Sequence, residues 1–340
     1  MGPTVAPAEP AAPSPGPRAP GLTVRAVPRV VTFGEAMVLL LAEPGLPLAE
    51  ATTYRRQVAG AESTVAVGLA RLGVPVGWFG RTGDDTLGGV VLGELRREGV
   101  DVSRARTDPA PTGLILRDCP RGRPVEVAYY RAGSAGSRLG AADVDAAYIA
   151  GAEVLHLTGL TPVLSASCLD ATRAALDAAR EGGAAVWFDP NLRRRLCPPE
   201  QAAPLLREVA ARSDVVLAGV DEAELLTGGR TPDAMAAWFL ERGARVVVLK
   251  DGAAGSRATD GGGWVRAEPP VVAVVDPVGA GDAYAAGFLA AHLDGGDLER
   301  CVRTAGAVAS MVVQAPGDTP GLPTSAVLAA ALSAAVDVAR

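Results

Sequence analysis

The chain has 340 residues, a formal net charge of −6, and 49% apolar against 21% charged residues, enough to bury a substantial core in one main domain with an appendage. The acidic balance argues against nucleic acid or an anionic membrane as the main partner, so an anionic substrate would have to be met by arginines placed locally. Cys119, Cys168, Cys197 and Cys301 are scattered without a CxxC pair, and together with two histidines they form no metal-ligand spacing. A reducing, cytoplasmic setting is therefore expected.

Residues 1–27, MGPTVAPAEPAAPSPGPRAPGLTVRAV, are rich in Pro and Ala and carry no apolar signal-like run, which predicts a disordered tail ahead of a domain spanning 28–340. Downstream, no unbroken apolar stretch reaches the length of a membrane span. Short β-branched runs near 29–33, 76–79, 154–157, 185–189, 215–217 and 245–249 alternate with longer Ala/Leu/Arg segments of helical character. That alternation predicts an α/β fold in three layers, with a mostly parallel central sheet and helices on both faces. Sites in such folds gather at the carboxyl ends of strands. Gly34, Gly159, Asn191, Gly219 and Lys250 all lie just past predicted strand ends.

Two stretches break this rhythm, about 37–58 and 112–131, where EVAYYR alternates in strand fashion after a turn at Arg121 and Gly122. They are expected to form a separate small sheet. His156, inside the apolar run VLHLTG, is read as a core histidine, and His292 as a helix-surface one.

The richest segment is DPVGAGDAYAAGFL, residues 276–289. Gly279 and Gly281 allow a sharp turn that aims successive amides at one point, and a helix expected from Asp282 to Leu293 adds its positive dipole end there. An arriving phosphoryl group would find amide donors, with Ala280 between the two glycines, and Asp282 as a base for the attacking hydroxyl. The competing reading is a Gly-rich turn with Asp282 as a helix cap. No Lys-Ser or Lys-Thr follows the glycines, so this is not a Walker A loop, and the later spacing is not GxGxxG.

What the segment resembles, nearly residue for residue, is the C-terminal signature of the ribokinase-like (PfkB) sugar kinases. The likeness extends over about 29–325 through VTFGEAM from Val31, QVAGAESTVAVGLARLG from Gln57, YYRAGSAGS from Tyr129, HLTGLTP from His156, FDPNLR from Phe188, LKDGAAGS from Leu249 and PGDTPGLP from Pro316. Within the family it looks closest to kinases of 2-keto-3-deoxygluconate. The resemblance implies a ribokinase-like fold with a β-sheet lid, which in relatives often doubles as a homo-oligomer contact. It also implies ATP and Mg²⁺ as cofactors and a sugar or sugar acid as the acceptor, with no nucleic-acid or membrane partner.

By the same resemblance, Gly60, Ala61, Glu62 and Thr64 form the sugar-binding end of a helix, Thr64 standing where relatives commonly have Asn. On local grounds they could be an ordinary helix start. Tyr129, Arg131, Arg193 and Asp318 would reach the substrate, two arginines favouring a carboxylate through bidentate pairing. Arg193 could instead neutralise the transferring phosphate, and Ile115 replaces a tyrosine common in relatives. Asn191, Gly219, Lys250, Gly252, Gly255, Ser256 and Gly306 would line the nucleotide, and Glu222 would organise Mg²⁺ through waters. The rivals are fructokinase or another sugar kinase of the family and, from another class, a non-catalytic sugar-binding regulator. A dinucleotide oxidoreductase is disfavoured because the first strand lacks GxGxxG.

Overall fold

The computed structural model describes residues 27–120 and 124–338, so residues 1–26 of the expected tail and the turn at Arg121 and Gly122 lie outside the described residues. Six apolar runs become neighbouring parallel strands. Val30–Phe33 pairs with Val76–Phe79 on one side and Val154–Thr158 on the other, followed by Ala185–Asp189, Val215–Gly219 and Val246–Lys250. Antiparallel strands Ser256–Thr259 and Val265–Ala267 finish that edge.

Successive side chains of a strand point to opposite faces, and here each face meets helices, which is why the strands are mostly apolar. Val30, Val154, Trp187, Leu217 and Val248 enter one core with helices Ala61–Arg71, Ala280–Leu293 and Leu298–Val312. Val31, Leu155, Phe188, Val216 and Val247 enter the other with Ala166–Gly182 and Pro199–Ala210. The result is the three-layer arrangement.

The chain first adds Val76–Phe79 beside Val30–Phe33 and then crosses to the opposite side for Val154–Thr158. Such a reversal of direction is where an α/β sheet opens a crevice at the carboxyl ends of its strands. Over it stands a four-stranded sheet built from the two segments that break the rhythm. Met37–Ala42 pairs antiparallel with Tyr54–Ala59 and parallel with Leu114–Arg117, which in turn pairs antiparallel with Val127–Tyr130. Arg81–Gly83 and Arg106–Asp108 form a further two-stranded ribbon that was not expected from sequence. Strands of three residues are too short to display alternation. Among the described residues no helix is long and apolar enough to cross a membrane.

The helix Ala280–Leu293 is buried on nearly every side, because Ala285, Ala286 and Gly287 let neighbouring backbones close in. A Cβ at Gly287 would lie 3.0 Å from Ala305 Cα. Phe288, fully buried, packs edge-on against Trp187 at 5.8 Å between ring centroids. Phe288→Ala is expected to cost about 3–5 kcal/mol, read as a lower urea midpoint at unchanged slope. A midpoint equal to that of the parent protein would contradict this packing.

Candidate active site

Gly279 takes φ of 86°, a left-handed value that an L side chain rarely adopts, and a Cβ there would also press to 3.0 Å from the Asp318 carbonyl oxygen. Its turn starts the helix at Ala280, two residues earlier than sequence suggested, with Gly279 as an N-cap that has no side chain to offer. Asp282 is therefore inside the first turn and is not the cap, which removes the competing reading of its role. Within this turn the Ala280 amide bonds the Pro277 carbonyl at 3.4 Å, which leaves the amides of Gly279, Gly281 and Asp282 as the donors of a helix N-terminus.

The Asp282 carboxylate is 4% exposed, and its Oδ1 accepts the Asn191 Nδ2 amide at 3.0 Å. Burial pushes its pKa up to about 7; Asp189 and Asp318 add to this, while Arg193 and Lys250 oppose it. Behind it lies a buried ion pair, Lys250 Nζ to Asp189 Oδ2 at 2.6 Å. Burial works against the Lys250 charge, but Asp189 and Glu222 more than offset it, and the ammonium is held above its ordinary range. Asn191 itself has φ of 39°, unusual for a residue with a side chain, with its amide bonded to Asp189 Oδ1 at 3.1 Å.

Two cavities meet at Asp282. One, of about 880 Å³, extends under the lid and is bordered by Gly60, Ala61, Tyr129, Arg131, Arg193 and Asp318. The other, of about 280 Å³, is bordered by Asn191, Arg193, Glu222, Lys250, Gly279 and Gly281. Leu192, Arg193, Val278 and Asp282 belong to both. Arg194 and Arg195, next to Arg193, are exposed and also border the larger cavity.

Several sequence-based assignments need correction. Glu62 does not border either cavity: it is fully buried, and its Oε1 accepts hydroxyl protons from Thr158 and Thr161, each at 2.6 Å. The rotation of about 100° per helical residue carries Glu62 from the cavity side, where Ala61 stands, to the sheet side. Thr64 is likewise buried, one turn further inward, and its hydroxyl has no hydrogen-bond partner among the described residues. Ser256, assigned to nucleotide, instead accepts the buried Tyr284 hydroxyl at 2.7 Å.

Gly219 caps the helix Val220–Thr227, donating its amide to Glu222 Oε2 at 2.8 Å. Glu222 Oε1 accepts the Leu192 amide at 2.7 Å, so both carboxylate oxygens already hold backbone and a direct metal bond is disfavoured. Gly306 sits inside the helix Leu298–Val312 facing Pro269, and Gly252 and Gly255 flank a 3₁₀ turn; none of these borders the two cavities. His156 is a core residue whose Nδ1 pairs with Thr32 Oγ1 at 3.0 Å, and burial drives its pKa down to about 3. His292 stacks edge-on with Trp187.

Sequence reasoning assigned no role to Glu35, Arg117, Asp189 or Asp276. Glu35 lies 2.5 Å from Arg131 Nη2 and accepts the Ser134 hydroxyl at 2.5 Å, which sets the arginine head. Arg117 shares the cavity face of its strand with Ile115, and the two-residue period could have revealed it once Ile115 was placed there. Asp189 could have been found as the last residue of a predicted strand.

Anion donors on one side of Asp282 and an arginine-lined cavity on the other leave room for a phosphoryl donor and a small polar acceptor, the division found in small-molecule kinases. The pfkB family carbohydrate kinase model matches residues 27–325, and the chain belongs to this family. It is 42% identical over 309 residues to the 2-dehydro-3-deoxygluconokinase of Bacillus subtilis (strain 168), covering 89% of this chain and 95% of the relative. A crystal structure of 2-dehydro-3-deoxygluconokinase from Thermotoga maritima superposes with a TM-score of 0.83 at 26% identity, over 91% of this chain and 99% of that one. A ribokinase II from E. coli solved with ATP and Mg²⁺ gives 0.84 at 25% identity, over 90% and 99%.

The unfolded chain ionises Asp282 near its ordinary 3.8, and the fold near 7. Between those values the native state binds more protons than the unfolded one, so stability falls as pH rises. Asp282→Asn removes that loss. Its melting temperature relative to the parent protein is expected to rise from about pH 4 to about pH 7 and then level off; a difference independent of pH would contradict the shift.

Proposed function

We propose that the protein transfers the terminal phosphoryl group of ATP to the 6-hydroxyl of 2-keto-3-deoxygluconate, also called 2-dehydro-3-deoxygluconate. The observation that carries this reading is the place of Asp282, a buried carboxylate with pKa near 7 between an amide-lined cavity and an arginine-lined one. Relatives named for this activity support the choice of acceptor.

The residues of the smaller cavity fit a polyphosphate: glycine leaves space at the turn, the first-turn amides point outward, and Lys250 lies 3.8 Å from where a Gly281 Cβ would be. Among the described residues no group of three or more His, Cys, Asp or Glu could hold a metal ion. Mg²⁺ would accordingly be held mostly by phosphate oxygens and water, with Glu222 and Asp189 within its surroundings. Bound there, it supplies charge neutralisation for the phosphates.

Asp282 accepts the proton of the 6-hydroxyl, and Asn191 keeps the carboxylate turned toward it. The amides of Gly279, Gly281 and Asp282 receive the charge that develops on the transferring group, while that of Ala280 is held by the Pro277 carbonyl. Arg193 and Arg131, whose Nε has no hydrogen-bond partner among the described residues, are the groups we assign to the acceptor carboxylate. Ile115 and Tyr129 cover the carbon skeleton, and the lid keeps out water that would otherwise take the phosphoryl group. We also place a homo-oligomer contact at the lid, whose edge strand leaves Tyr129 and Tyr130 44% and 62% exposed.

The test is ADP release with 2-keto-3-deoxygluconate, fructose and ribose for the parent protein and Asp282→Asn. The keto-deoxy acid is expected to have the highest kcat/KM, and the variant to lose about 10²- to 10⁴-fold in kcat. Faster turnover of fructose or ribose would overturn the acceptor assignment. Equal inactivity of both proteins, with sugar still bound, would favour a sugar-binding regulator.

A further inference from the structure

Arg117 is 3% exposed, yet it belongs to the lid strand Leu114–Arg117 and reaches across to the catalytic half of the molecule. Its Nη2 lies 2.8 Å from Asp276 Oδ2 and 3.1 Å from Asp318 Oδ1. Asp276, 2% exposed, is a junction of three segments: Oδ2 also accepts the Gly317 amide at 2.9 Å, and Oδ1 accepts the Val278 amide at 3.1 Å. Val278 opens directly into the turn that carries Gly279 and Asp282. A second lid strand reaches the same place, with Gln57 Nε2 donating to the Pro316 carbonyl at 3.3 Å.

Geometry on the lid side completes the connection. Ile115 and Arg117 lie two residues apart on one strand and both border the larger cavity, so the face that covers an acceptor also carries the arginine. A buried arginine with two carboxylates would be a poor choice for stability, since an apolar replacement of the whole group is often as stable. Its placement makes sense as a fixed link between lid and anion turn.

We propose that Arg117 is a positioning residue for phosphoryl transfer, which aligns the turn 277–282 with the acceptor cavity by gripping Asp276 and Asp318 from the lid. This rests on the kinase reading above and adds to it a residue that touches neither the turn's amides nor Asp282. A displacement of about 1 Å in the reacting groups can cost about 10²-fold in rate, so the link is expected to act on kcat.

The experiment is a double-mutant cycle with Arg117→Met, Asp276→Asn and the two combined, assayed at saturating ATP with whichever sugar the parent protein turns over fastest. That choice of sugar separates the outcome from the acceptor assignment. Rates are taken per folded molecule, with folding followed by circular dichroism. Arg117→Met leaves buried Asp276 without its cation and Asp318 with Arg193 alone, so the double variant, which removes the Asp276 charge, is the check should the single one fold poorly. Arg117→Met is expected to lower kcat about 10- to 100-fold with KM for ATP little changed, and the double variant to be no worse than the poorer single one. Arg117→Lys should recover part of the loss. Multiplying losses in the double variant, or lower melting temperatures with unchanged kcat per folded molecule, would overturn the proposal.

Discussion

Everything at this site turns on the free energy of one carboxylate removed from water. A helix N-terminus and two nearby cations, Arg193 and Lys250, favour the ionised form of Asp282; burial and the neighbouring Asp189 and Asp318 favour the protonated one. Burial wins, and the pKa rises to about 7. A base tuned near neutral pH can hold a proton drawn from an alcohol while still being ionised often enough to accept it. A fully exposed aspartate would be ionised but too weak a base.

The fold supplies that environment through packing. Small residues along Ala280–Leu293 draw three helices against the sheet and carry the first turn down into the crevice, so that the carboxylate is nearly buried where the two cavities meet. The lid then closes the acceptor side with Ile115, Tyr129 and Arg131, the last fixed by Glu35. Charges below the floor of the site are matched in pairs, Lys250 with Asp189 and Arg117 with Asp276, because an unpaired one would be severely destabilising.

Much of this was legible in the residues. Six short β-branched runs alternating with longer helical segments marked the parallel sheet, and the glycines before Asp282 marked the anion turn. The two segments that became the lid stood out by breaking the rhythm. Glu62, Thr64, Ser256 and Gly306 were expected at the site and are buried away from the two cavities, because a motif fixes positions along the chain and does not say which way a helix is rotated or which buried hydroxyl needs a partner. Arg117 and Asp276 escaped notice for a related reason: they meet across 159 residues of sequence, and no local pattern reports such a pairing.

The most direct test is a titration of Asp282 itself, by carboxyl ¹³C NMR of aspartate-labelled protein with Asp282→Asn supplying the assignment. A carboxylate titrating near pH 7, absent from the variant, is the result this account requires. A resonance showing Asp282 ionised down to about pH 4 would contradict it, since burial would then not control the base.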